Sequence, residues 1–211
     1  MGNVFRQGDH ICALYETESE RVAIATEYIA DGLRRGERCF YVAESAAGLA
    51  RLRGALVRLG LDAEDMVKRG ALVEATHAEA HLVDGRFDCE RMMRLLNEAV
   101  ESALEGGFSG LRTCGDMSWL LEEAPGSEQV VAYEAFLNEF FEGVPAEGMC
   151  QYDRHRLPAG LIDHALATHS STVFERRHKV NPFYSPPSIA ASRTAHAPDV
   201  AWKLSELRRR P

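Results

Sequence analysis

Gly110–Leu121 reads GLRTCGDMSWLL, and the interpretation of this stretch decides the fold. Leu111 to Cys114 is short, lies between turn-formers and runs out at Gly115, which predicts a buried strand ending in a sharp bend. Asp116, Met117 and Trp119 follow at once. In open α/β sheets ligands sit outside the carboxyl ends of the strands, so these three side chains are expected to face a pocket. A core position for Trp119 is the competing expectation, because tryptophan is highly buried on average.

Toward the N-terminus, His10–Tyr15 (HICALY) predicts a strand, and Thr17 with Glu20 forms a capping box that opens a helix. Val22, Ala25, Ile29 and Leu33 fall on one face of that helix, with Gly36 at its end. Arg38–Ala43 predicts a second strand. Ser45 then caps a helix whose Leu49, Leu52, Leu56 and Leu59 form one stripe ending at Gly60. Two successive strand–helix steps imply a parallel sheet with right-handed crossovers. Ala71–Ala75 predicts a third strand. The polar run THAEAHLVDGRFD after it, with an Asp84-Gly85 turn, is expected to be a loop or small hairpin over the carboxyl edge. Asp88 caps a helix buried through Met92, Leu95, Leu96, Ala99 and Ala103.

Downstream, Ser127 is expected to cap a helix with Val130, Tyr133, Leu137, Phe140 and Phe141 on its inner side. No Lys or Arg occurs between Arg112 and Arg154. Glu134, Asn138 and Glu142 recur every four residues, which predicts an outward line, either solvated or a face for a basic partner. Met149–Asp153 predicts a fifth strand, Pro158 stands in the first turn of a helix with Leu161, Ile162, Ala165 and Leu166, and Thr172–His178 is expected to add an edge strand. Residues 186–198 are small, polar and proline-containing, as in a linker. A short helix over 199–210 gathers Val200, Leu204 and Leu207, with Trp202 off that stripe, and either docks on the body or binds a partner. The expected fold class is α/β, with a mostly parallel central sheet flanked by helices. One domain covers residues 1–187, and a flexible linker with a short basic C-terminal helix covers 188–211.

The 211 residues suit a single domain that folds without metal or disulfide. No apolar run is long enough to span a bilayer and no signal-peptide core precedes Asp9, so the cytoplasm is expected and a membrane partner is not. The five cysteines form no CxxC pair and four fall in predicted strands, which favours buried structural thiols. Residues 171–211 hold eight Lys or Arg against three Asp or Glu, and residues 1–170 hold 16 against 29. A body so acidic repels nucleic acid, and no helix-turn-helix with a basic recognition helix is present, so direct nucleic-acid binding is not expected. Ser170 and Ser171 beside His169 lack the GxSxG setting of a hydrolase.

Four stretches together resemble the MEDS domain, the sensory domain named after methanogens, methylotrophs and a dichloromethane-responsive regulator. They are GDHICALYETESE, GLRTCGDMSWLL, MCQYDRHRLPAG and NPFYSPP, in this order between Gly8 and Pro187. In addition, Glu27–Thr76 is similar to RecA-like ATPases of the KaiC type. That likeness places HICALYETESE where such ATPases keep their phosphate loop. A phosphate loop needs several glycines and a lysine. Here Tyr15 to Val22 contains neither, and Glu16, Glu18 and Glu20 would repel a triphosphate. The resemblance therefore implies a degenerate RecA/KaiC-like fold, with Glu44 and Asp116 as relics of the catalytic glutamate and the metal-binding aspartate.

The same resemblance implies a non-catalytic sensory domain for a small, partly apolar ligand such as a hydrocarbon derivative. Its expected pocket is formed by Tyr15, Glu16, Glu44, His77, Asp116, Met117, Trp119, Tyr152, Asp153 and His155, with His10 added by its place in the motif. No cofactor is expected. A metal or haem is the alternative, with His10 and Cys12, His77 and His81, or Cys150 and His155 as candidate ligand pairs, although the recognised zinc and haem spacings are absent. Any output module is expected to be another protein: a kinase, an anti-sigma factor or a transcription regulator. Homo-oligomerisation is compatible with this reading. A residual nucleotide-binding or redox enzyme using Glu44 and Asp116, and a ligand-free interaction module docking through the acidic helix, are the competing functions.

Overall fold

The computed structural model describes residues 5–185 and 199–210, so the predicted linker over 186–198 lies outside the described residues. In chain order the elements are β1 (His10–Tyr15), α1 (Glu18–Arg34), β2 (Arg38–Ala43), α2 (Ala46–Arg58), α3 (Ala63–Lys68), β3 (Leu72–Thr76) and α4 (Cys89–Glu105). They continue with β4 (Leu111–Asp116), α5 (Val130–Gly143), β5 (Ala146–Asp153), α6 (Ala159–Thr168), β6 (Ser171–Phe174), β7 (Arg177–Val180) and α7 (Val200–Arg209). The predicted caps act as expected: Thr17, Ser45 and Asp88 each accept a hydrogen bond from the backbone N–H three residues on.

All seven strands form one sheet in the order β3-β2-β4-β5-β1-β6-β7, parallel except for β7. This is the mostly parallel α/β architecture expected. Alternation along the strands divides the interior in two. Ile11, Ala13, Tyr41, Cys114 and Met149 pack under α1 and α2. Cys12, Leu14, Val42, Cys150 and Tyr152 pack under α4, α5 and α6.

Several expectations need correction. β4 runs on to Asp116, because Gly115 and Asp116 keep pairing with Cys150 and Gln151, and the bend falls after Asp116. Leu59 is exposed as the C-cap residue of α2. Of the two alternatives expected for residues 77–87, the loop is the one formed, with turns and a short 3-10 segment. Ser127 makes no side-chain cap and starts a 3-10 turn that runs into α5, while Pro158 caps α6 from outside its first turn. Thr172–His178 is not one edge strand but the two strands of a hairpin. Glu175 and Arg176 turn it at φ of 50° and 59°, the left-handed pair that a two-residue turn requires, without the usual Asn-Gly signal.

The acidic outward line on α5 does not exist as a surface. Glu134 and Asn138 are 4% and 5% exposed, and Glu142 alone reaches solvent. α5 packs against β1 and β5 below and against α4 and α6 at its sides, so its polar row turns inward. For α7 the choice left open by the sequence falls to docking: Leu207 is fully buried. Lys179 donates from Nζ to the Leu207 carbonyl oxygen at 2.7 Å, and Lys203 pairs with Asp163 on α6.

Candidate functional site

At the carboxyl edge of the sheet, the ends of β1, β2 and β4 bring Tyr15, Glu44 and Asp116 together, as their strand-end positions predicted. The space between them is filled by a residue the sequence reading missed. Arg21, in the first turn of α1, is 3% exposed. Its guanidinium lies 2.7 Å from Glu44 Oε2 and 3.1 Å from Asp116 Oδ2, and it donates to the Tyr41 hydroxyl at 3.3 Å. Burial opposes the charge on Arg21, but Tyr41, Asp116 and Glu44 outweigh it and raise its pKa.

The Asp116 carboxylate also accepts from Tyr15 Oη at 3.3 Å and from the Ser118 N–H at 2.9 Å. Burial and the Asp116 charge push the Tyr15 phenol well above its usual range. His77 Nε2 lies 3.0 Å from the Asp116 carbonyl oxygen. At this edge Glu44 and Asp116 are thus both paired with an internal arginine.

The rest of the expected pocket is dispersed. Met117 and Trp119 are core: the indole stacks against Phe87 and His81 with ring centroids 4.7 and 5.3 Å apart. Glu16 is exposed and pairs with Arg154. Asp153 closes the following turn, accepting from the His155 and Arg156 N–H groups at 3.0 Å, and the His155 side chain is in solvent. His10 and Tyr152 lie on the other face of the sheet, where side chains alternate away from the carboxyl-edge group.

There they meet Glu134, Asn138, Cys150 and His169, all buried. Tyr152 Oη donates to Glu134 Oε1 at 2.8 Å. Glu134 Oε2 lies 3.3 Å from His10 Nε2 and 3.2 Å from His169 Nε2, and the two imidazole centroids are 3.9 Å apart. Burial lowers the pKa of both histidines to about 3 and raises that of Glu134. One donor atom from each of His10, Glu134, Cys150 and His169 fits within 4.8 Å. Of the three ligand pairs expected from sequence, His77 and His81 lie with ring centroids 5.6 Å apart but His77 Nε2 is engaged by the Asp116 carbonyl oxygen, Cys150 is buried while His155 is exposed, and His10 and Cys12 are both buried on β1. Sequence spacing gave no sign of His169, 159 residues after His10.

Beside this group, between the sheet and α4 and α5, lies a narrow cavity of about 30 Å³. Its walls are mainly apolar, with Val42, Met92, Leu96, Met117 and Leu137 among them, and His81 and Cys150 supply polar atoms. On the measure by which one water needs about 10–15 Å³, this is room for about two or three waters. Wider depressions, such as one of about 610 Å³ between α1 and α2, are open and lined by Glu18, Glu27, Arg51 and Arg58.

The family described as the MEthanogen/methylotroph, DcmR Sensory domain (MEDS) matches residues 9–170. The chain is 29% identical over 166 residues to the transcriptional repressor DcmR of Methylorubrum extorquens (strain DSM 6343 / CIP 106787 / DM4), a match that covers 78% of this chain and 59% of the repressor. It therefore spans less than two thirds of that relative. In structure it is similar to a KaiC-like protein from the hyperthermophilic archaeon Pyrococcus horikoshii OT3, with a TM-score of 0.55 and 14% identity over 80% of this chain and 71% of that one. At that identity the likeness concerns the fold alone. Among the described residues no helix is long and apolar enough to cross a membrane.

Proposed function

The chain belongs to the MEDS family of sensory domains, and on that premise we propose that it is non-catalytic, takes up a small, partly apolar ligand and passes the signal on by protein contact, in control of transcription. The observation that carries this reading is Arg21. A nucleotide pocket on a RecA-like fold needs free carboxylates for its metal and room for phosphates. Here a guanidinium occupies the space between Glu44 and Asp116, and no glycine-rich loop precedes α1. On this reading the ligand enters the narrow apolar cavity on the opposite face. Met92 and Met117 line it, and unbranched thioethers let a small cavity widen round a guest. The regulatory output follows the relative named as a transcriptional repressor.

Gly115 supplies the test. It lines the cavity, and a methyl group at its Cα would meet His81 at 3.5 Å, an ordinary contact, so Gly115→Ala narrows the cavity without breaking the strand. Thermal unfolding is followed with xenon, with halogenated or hydroxylated hydrocarbons of one to three carbons, and with ATP and Mg²⁺. We expect a rise in Tm with at least one hydrocarbon derivative, lost in Gly115→Ala, and none with ATP. A rise with ATP that Glu44→Gln removes would replace this reading with a nucleotide-dependent enzyme.

A further inference from the structure

We infer that His10, Glu134, Cys150 and His169 form a closed site for one divalent metal ion of the zinc class, held by two imidazole nitrogens, one carboxylate oxygen and one thiolate. The four residues come from the start of β1, the middle of α5, the middle of β5 and the residue that ends α6. The fold alone brings them together.

The hydrogen bonds around the group decide which atoms face its centre. His169 Nδ1 lies 2.7 Å from the Ala165 carbonyl oxygen, which can only accept, so Nδ1 carries the proton and Nε2 a lone pair. Asn138 Nδ2 donates to the Glu134 carbonyl at 3.0 Å, which turns Oδ1 toward His10 Nδ1 at 3.3 Å. His10 Nε2 therefore also presents a lone pair. Glu134 Oε1 is taken by the Tyr152 hydroxyl, and Oε2 faces both imidazoles. Glu134 Oε2 and His169 Nε2 have no hydrogen-bond partner among the described residues. Electron pairs point at electron pairs, an arrangement that costs energy unless a cation sits between them. One proton can satisfy one of these contacts. A metal ion satisfies all of them.

The spacing fits as well. Metal–ligand lengths of about 2.0–2.3 Å in a tetrahedron put neighbouring donors roughly 3.3–3.7 Å apart. Three of the six separations come close to this, 3.2 and 3.3 Å from Glu134 to the two histidines and 3.8 Å from Cys150 Sγ to His10 Nε2, and all six are within 4.8 Å. Asn138, Ala165 and Tyr152 supply the outer hydrogen bonds that orient metal ligands elsewhere. Charge balances too: on binding, the Cys150 thiol gives its proton to solvent, and one thiolate with one carboxylate cancels the two positive charges. Mixed nitrogen, oxygen and sulfur donors in a tetrahedron suit zinc. Because Cys150 also lines the apolar cavity, the metal would share a wall with it.

The test uses the full chain, stripped with a chelator and titrated with Co²⁺ and then Zn²⁺. The expected result is one Co²⁺ per chain, with the visible bands of a tetrahedral site and a thiolate-to-cobalt charge-transfer band in the near ultraviolet, displaced by one Zn²⁺. Cys150→Ser should lose the charge-transfer band, and His169→Gln should weaken binding by about tenfold or more. A wild-type chain that is folded by circular dichroism and takes up no cobalt overturns the site, whatever the variants do. So does a charge-transfer band that survives in Cys150→Ser. The cobalt spectrum is read without any organic ligand, so its failure and that of the sensory reading are separate.

Discussion

Arg21 and Arg112 are both buried cations among carboxylates, one at each end of β4. Arg112 is fully buried, 2.6 Å from Glu37 Oε2 and paired with Glu147, and its guanidinium lies over the Tyr28 ring. Burial raises the Glu147 pKa to about 7 even with Arg112 beside it. Removing one partner of such a group leaves the other charges buried without a counter-ion, which costs about 3–5 kcal/mol. Arg21→Leu should lose stability of this order in chemical denaturation, and Arg21→Leu with Asp116→Asn should recover part of it. A double variant no more stable than the single one would show that Arg21 acts by packing alone. Gly148 is fixed by a different constraint: a Cβ there would fall 2.2 Å from the Phe141 ring, so the glycine is what lets α5 sit on the sheet.

Among the elements, α5 and α7 separate what periodicity reveals from what it does not. α5 carries apolar residues round most of its circumference, so its four-residue polar row has no sequence-level sign of direction. The row points inward because β1, β5, α4 and α6 surround the helix. α7 is the opposite case. Its apolar stripe was legible, and Leu207 is where that stripe meets the body. Leu207→Ala should destabilise by about 2–5 kcal/mol if α7 folds with the domain. A change below about 0.5 kcal/mol in the same unfolding experiment would mean that α7 contributes nothing to the core. Lys179 reinforces the docking, because its ammonium satisfies carbonyls at the C-terminal end of α7, where a helix favours positive charge.

For the whole molecule, burial of titratable groups sets how stability varies with pH. In the metal-free chain, burial lowers His10, His81 and His169 to about 3, so between pH 3 and 6.5 the unfolded chain takes up protons that the folded one refuses. That stability is complete above pH 6.5 and is lost as pH falls. Glu134 and Glu147 work the other way: their raised values keep protons on the folded chain above pH 4.5, so their contribution falls as pH rises. Glu147, which holds its proton to about pH 7, offsets part of the histidines' loss between pH 6.5 and 4.5, and Glu134 acts in the same direction. Below 4.5, where both carboxyls are protonated in either state, the loss is steep. Denaturant midpoints measured across this range should follow that two-slope profile, and His81→Gln should flatten the lower limb. A midpoint that stays level down to pH 4 would contradict the burial of these rings.

The sequence by itself determined the strand–helix alternation, the helix caps at Thr17, Ser45 and Asp88, the mostly parallel sheet and the strand ends where Tyr15, Glu44 and Asp116 meet. These are local properties, written in short-range spacing and in a chain direction that places every parallel strand end at one edge. The tertiary structure decided what fills that edge, because Arg21 is one helix residue among many until β2 and β4 bring carboxylates to it. It also decided that Met117 and Trp119 are core, that Glu134 and Asn138 face inward, and that His10 and His169 stand ring to ring. Such contacts join residues up to 159 positions apart through the sheet order, and no repeat or spacing within one segment carries that information.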